Sequence, residues 1–133
     1  MITFPESHRD LLEEKTRAFL FLGTTMSDST PQVTPVWFNT DGTYILINTA
    51  EGRVKDRNMR SRPVVALCIA DPANPYRYLQ LRGKVVERTL KGADEHIDAL
   101  SEKYTGNPVY QNRRPGQIRV IYKILPEKFD PHG

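Results

Sequence analysis

Cysteine is nearly absent from this sequence: one residue, Cys68, stands among 133. A lone thiol cannot close an internal disulfide, so the fold does not rest on an oxidising compartment. Its setting, Val64-Val65-Ala66-Leu67-Cys68-Ile69, reads as a buried strand and makes Cys68 a core thiol rather than a nucleophile. No apolar run approaches the roughly 18 residues of a membrane span. The acidic start around Glu6, Asp10 and Glu13 is unlike a signal peptide, and the cytoplasm is the expected location. The histidines His8, His96 and His132 are too scattered for a Ser-His-Asp set, and His96 falls on the polar face of its expected helix. No His/Cys/Asp group has metal-ligand spacing. A glycine-rich dinucleotide fingerprint is missing, which argues against a nicotinamide cofactor held in a Rossmann fold. Excess charge is also small, +3 in total, too little to demand a nucleic-acid partner. Aromatic and cationic residues do occur together over residues 76–88, but without an aromatic platform motif for single strands.

What is present is the composition of an ordinary globular protein, 38% hydrophobic and 26% charged. A chain of this length is expected to form a single domain over residues 1–133 and to bury roughly 70% of its unfolded surface. Ser7 before Leu11 and Leu12 predicts a short capped helix. Strands are expected over 19–26, 32–38 and 44–47, the turn residues Asp28-Ser29-Thr30-Pro31 and Asp41-Gly42 separating them. A polar segment from Glu51 to Arg62, stopped by Pro63, predicts a short helix that leads into the strand of Cys68. Residues 76–88 predict a long strand interrupted at Gly83 by a bulge or bend. Ile97, Leu100 and Tyr104 are spaced for an amphipathic helix over 92–104, and a final strand runs over 118–125 to Pro126. Six short strands with few helices favour a mostly β barrel, since closure removes exposed edges.

The chemistry concentrates between Ile47 and Asn58. Asn48, Thr49 and Ala50 end a strand, and Arg53-Val54-Lys55 then starts a helix. A helix N-terminus offers unpaired N–H groups and partial positive charge to an anion. Thr49 adds a hydroxyl, Arg53 a planar fork and Lys55 a point charge, a set suited to phosphate. By spacing alone, Arg53, Lys55, Arg57 and Arg60 fit a solvated basic helix face equally well.

Three motifs in order carry a resemblance: Pro31-Gln32-Val33-Thr34-Pro35-Val36-Trp37-Phe38, then Ile47 to Asn58, then Asn74-Pro75-Tyr76-Arg77-Tyr78 with Arg82-Gly83. Together they resemble the pyridoxamine 5′-phosphate oxidase-like, deazaflavin-dependent oxidoreductases, over nearly the whole chain. The resemblance implies a six-stranded antiparallel split β-barrel and a homodimer whose two cofactor sites lie across the subunit interface. It implies that Gln32, Val33, Thr34, Pro35 and Val36 line the cofactor ring and that Asn48, Thr49 and Ala50 lie beneath its ribityl chain. Arg53 and Lys55, with Val54 between them, match the phosphate grip, and Asn58 stands close by. Tyr78 matches a residue given to the ring by the second subunit. Trp37 and Tyr76 are left between core and cofactor, and Arg113 and Arg114 read as an exposed loop. After Asn58 the pattern departs, with Met59, Ser61 and Arg62 in place of the commoner leucine, arginine and aspartate. The expected cofactor is the deazaflavin F420, with FMN as the alternative. The expected reaction is hydride transfer to a small acceptor such as an enone or quinone, with no dedicated acid or base among the side chains. A cofactor carrier without turnover is the competing reading.

Overall fold

The computed structural model describes residues 3–133. Strand β1 (Leu20–Thr25) shows how the pattern becomes structure: Leu20, Leu22 and Thr24 are buried while Phe21 faces out, the period of two of a half-covered strand. Asp28 turns the chain by accepting from the N–H of Thr30, and β2 (Pro31–Val36) returns antiparallel to β1. Two prolines, Pro31 and Pro35, lie in β2, which forms an edge of the sheet where missing N–H groups are tolerated. Trp37 then breaks the strand, and β3 (Phe38–Thr40) pairs with β4 (Ile45–Ala50) instead. The expected single strand over 32–38 is therefore two, which makes seven strands where the sequence predicts six.

After β4 come helix α1 (Val54–Ser61), strands β5 (Val64–Asp71) and β6 (Asn74–Thr89), helix α2 (Ala93–Thr105) and strand β7 (Arg119–His132). The sheet order is β2-β1-β5-β6-β7-β4-β3, and all pairs are antiparallel. Because one residue, Trp37, joins the two outermost strands, the sheet has to curl until its edges meet. Helix α2 fastens that seam. Lys103 Nζ donates to the Phe38 carbonyl at 2.8 Å, and the Tyr104 hydroxyl donates to the Ala18 carbonyl at 2.6 Å. The curled sheet encloses Leu20, Leu22, Phe38, Ile47, Leu67 and Tyr122, among others, each of which stabilises the fold by about 1.5–3 kcal/mol through burial.

Gly83 marks the bend expected of it. A Cβ there would meet the Leu125 carbonyl oxygen at 2.8 Å, and the β6–β7 register shifts between Arg82 and Gly83. The shift also lets β7 run through Pro126 to His132, past the point where the sequence predicts its end. The register passes from Lys128 to Pro126, so Glu127 has no partner and the missing proline N–H falls at a bulge.

Two expectations are corrected. The segment Glu6–Leu12 is a 3₁₀ helix that begins after Pro5 without a side-chain cap; Ser7 Oγ bonds His8 Nδ1 instead. Cys68 lies on a strand, but Val65, Leu67 and Ile69 alternate inward and leave its thiol half-buried on the outer face opposite Phe21. Burial there pushes the thiol up from its ordinary value.

Candidate functional site

A cavity of about 280 Å³ opens where the ends of β2, β4 and β7 converge beneath α2. Its apolar wall is Phe19, Pro35, Val36 and Trp37, with Ile97 and Leu100 from α2. The aromatic residues are mutually ordered: Tyr104 stacks between Phe19 and Trp37 at 5.4 and 5.3 Å, and Tyr110 meets Trp37 edge-on. Such contacts fix ring orientation as well as burying area.

The polar wall has one sign of charge. Arg53, Lys55 and Arg119 line it, no carboxylate does, and none of the three forms an ion pair among the described residues. Burial first, and then the charges of Arg53 and Arg119, lower the Lys55 pKa from its ordinary value. Three mutually repelling cations around one cavity cost stability unless an anion joins them.

Local structure explains how the first two are placed. Strand β4 ends at Ala50, and Gly52, with φ of 91°, adopts the left-handed conformation that the turn into α1 requires. Arg53 is the extended residue before the helix, and Lys55 lies in its first turn. The turn is fixed from below by Asp56, whose buried carboxylate accepts from the Gly52 N–H at 2.9 Å, the Tyr122 hydroxyl at 2.5 Å and Arg88 Nε at 3.1 Å. Burial opposes the charge on Asp56, but these hydrogen bonds prevail and hold the carboxyl below the usual range.

Arg119, at the head of β7, was not anticipated. Only 6% exposed, it donates from Nε to Asn48 Oδ1 at 2.8 Å and packs its guanidinium over Tyr110. A cation at the start of the apolar run Val120-Ile121-Tyr122 is the signal it left in the sequence. Asn48 also donates to the Ala93 carbonyl at 2.9 Å and meets His96 Nδ1 at 3.1 Å, while His96 Nε2 lies 2.9 Å from Asn39 Oδ1. His96 is thus packed between two asparagines, not exposed on a polar helix face as its spacing suggests. Burial, and then the Arg119 charge, push its pKa down to about 4.

Of the residues singled out in the sequence, Pro35, Val36, Asn48, Thr49, Arg53 and Lys55 come together in the cavity, with Trp37 beside them. Ala50 is buried at the end of β4 and Val54 opens α1; neither lines the cavity. Gln32 accepts from the Thr24 hydroxyl farther along β2, and Val33 is exposed on the outer face. Asn58 is buried and ties α1 to β1 by donating to Thr24 Oγ1 at 3.0 Å. Tyr78 lies outside the cavity, stacked on His132. Arg113 pairs with Asp94 and Asp98 and pins the loop that carries Tyr110. Among the described residues, the hydroxyls of Thr34 and Thr49 are the buried side-chain polar atoms without a partner. Leaving such a group unpaired costs about 1–3 kcal/mol, and Thr49 bears this cost at the cavity wall.

The family model for pyridoxamine 5′-phosphate oxidase matches residues 4–132. The chain belongs to that family. The pyridoxamine 5′-phosphate oxidase-like fold, a split β-barrel, is the curled sheet described above. Among solved structures, an F420 reductase is 32% identical to this family member, with 96% of this chain and 98% of the reductase covered at a TM-score of 0.84. A conserved hypothetical protein of Mycobacterium tuberculosis is 21% identical, covers 98% of this chain and 86% of its own, and has a TM-score of 0.70. HutZ, a heme storage protein of Vibrio cholerae, is 15% identical over 99% and 96%, with a TM-score of 0.67. These last two share the fold alone. No curated protein matches the chain.

Proposed function

We propose that the protein is an oxidoreductase that binds the deazaflavin F420 and passes hydride to a small organic acceptor such as an enone or a quinone. The observation that carries this reading is the convergence of three unpaired cations and the orphaned Thr49 hydroxyl on one cavity with an aromatic wall. An anionic, ring-bearing ligand answers both walls at once. The similarity to an F420 reductase at 32% identity over 96% of the chain supports F420 as that ligand.

When bound, the deazaflavin supplies the hydride chemistry. The chain's own residues bind and orient. Arg53, Lys55 and Arg119 hold the phosphate, each charge-assisted contact contributing about 1.5–3 kcal/mol, and Thr49 completes its hydrogen bonds. Pro35, Val36 and Trp37 exclude water beside the ring and strengthen electrostatics within the cavity.

The cavity, about 280 Å³, is at the low end of the roughly 300–1,000 Å³ of ligand pockets, which is consistent with a homodimer in which a second copy of the chain extends it. The outer face supports such a homodimer: Phe21 and Val33 are exposed there, together with Val64 on the same face of β5. FMN is the second reading, since three cations also suit a dianionic phosphomonoester.

Titration of oxidised F420 and FMN, followed by ring fluorescence, tests the assignment, and sedimentation tests the dimer. F420 should bind more tightly, and its reduced form should be consumed with an enone or a quinone. Tight FMN binding without F420 affinity would reverse the choice of cofactor. Binding without any acceptor-dependent oxidation would make the protein a carrier.

A further inference from the structure

The polar contacts behind Arg119 have only one consistent direction. Arg119 Nε is a donor and the Ala93 carbonyl an acceptor, so Asn48 turns its oxygen to the first and its amide nitrogen to the second. That nitrogen then donates to His96 Nδ1, which has to be unprotonated. The proton of neutral His96 sits on Nε2 and goes to Asn39 Oδ1. Donation therefore runs outward, from Arg119 on β7 through Asn48 on β4 and His96 on α2 to Asn39 on β3. With Nε committed and one terminal nitrogen on Gln117, the other terminal nitrogen of Arg119 has no protein acceptor among the described residues.

We propose that His96 is a positioning residue: by accepting from Asn48, it locks the amide that aims the free edge of Arg119 at the ligand's phosphate. The proposal rests on the phosphate-binding reading of the cavity but not on which ring the phosphate carries. A proton on Nδ1 would set two donors face to face, and turning the Asn48 amide to relieve them would set its nitrogen against Arg119. The charged groups around His96 do not compensate. Strands β3 and β4 present neutral amides, β7 presents Arg119 itself, and Asp94 and Asp98 on α2 are paired with Arg113.

The test uses the whole chain labelled with ¹⁵N, inorganic phosphate as the probe, and the Arg119 Nε–H resonance with the His96 ring shifts as readouts. His96 should show the neutral Nε2–H tautomer at pH 6, below the ordinary histidine pKa, and phosphate should move the Arg119 signal. His96→Leu, folded as judged by its amide spectrum, should lose the Arg119 signal and weaken phosphate binding about tenfold. His96→Asn keeps an acceptor at the Nδ1 position and should bind within about threefold of the parent. An Nδ1–H tautomer, a His96→Leu variant with parental affinity, or no phosphate effect on the parent would each overturn the proposal. Phosphate binding with this pattern but no binding of F420 or FMN would leave the role of His96 standing and sink the proposed function.

Discussion

The carboxylate of Asp56 accepts a hydrogen bond from the backbone N–H of Gly52 at 2.9 Å, so the turn that carries Arg53 and Lys55 is tied to a group in the interior. Tyr122 on β7 and Arg88 on β6, the first and second strands beyond β4 in the sheet, hold the same carboxylate. The cavity's cations are thus anchored through the core rather than through each other. Asp56→Asn weakens the contacts to Gly52 and Tyr122 and leaves Arg88 with Glu51 alone, and should destabilise the protein by about 1–3 kcal/mol in urea unfolding.

Lys55→Ala should weaken F420 binding by roughly ten- to a hundredfold, the loss of one charge-assisted phosphate contact. Fluorescence titration measures it. Unchanged affinity would place the phosphate elsewhere.

Arg119→Met separates binding from stability. The buried guanidinium has no carboxylate partner, but its removal leaves the buried Asn48 oxygen without a donor, so stability should fall by no more than about 1–3 kcal/mol while binding falls tenfold or more. Thermal melts and titration on the same samples check both halves.

His96 predicts a stability profile. Its pKa is about 4 when folded, from burial and then the Arg119 charge, and returns to the ordinary 6.5 on unfolding. Between these values the unfolded chain binds more protons, so stability rises with pH from about 4 to 6.5 and this contribution is complete above that. Linkage puts its size at about 3 kcal/mol. Urea unfolding across this range should be steeper for the parent than for His96→Asn.

Gly83→Ala would force a Cβ to within 2.8 Å of the Leu125 carbonyl oxygen and 2.9 Å of Ile124 Cγ2. Overpacking at a bulge should cost about 1–3 kcal/mol, and a parental melting temperature would show that the β6–β7 ribbon yields at this point.

Much of the barrel was legible because its strands obey a local rule. Leu20 and Leu22 alternate with Phe21, and Gly83 interrupts β6 where the backbones crowd. The break at Trp37 was not legible: residues 32–38 keep their β-favouring character, and only the pairing of the two halves with different strands reveals the split. Within the site, Arg53 and Lys55 announced themselves through a helix start, which is local. Arg119 and His96 did not, because their partners are 71 and 57 residues away in sequence. A helical wheel gives His96 a polar direction; it does not say that Asn39 and Asn48 fill that direction.

The placement of β7 between β6 and β4 has a consequence in time as well as in space. Asn48 pairs with Ile121, so β4 stays unpartnered on that side until a strand far along the chain has arrived. Closing such a span demands chain entropy that β1, β2 and their hairpin do not. Arg119 heads the late strand while Arg53 and Lys55 belong to the early half. The three cations therefore meet only in the closed barrel, and a ligand that requires all of them binds that state and not a partly assembled one.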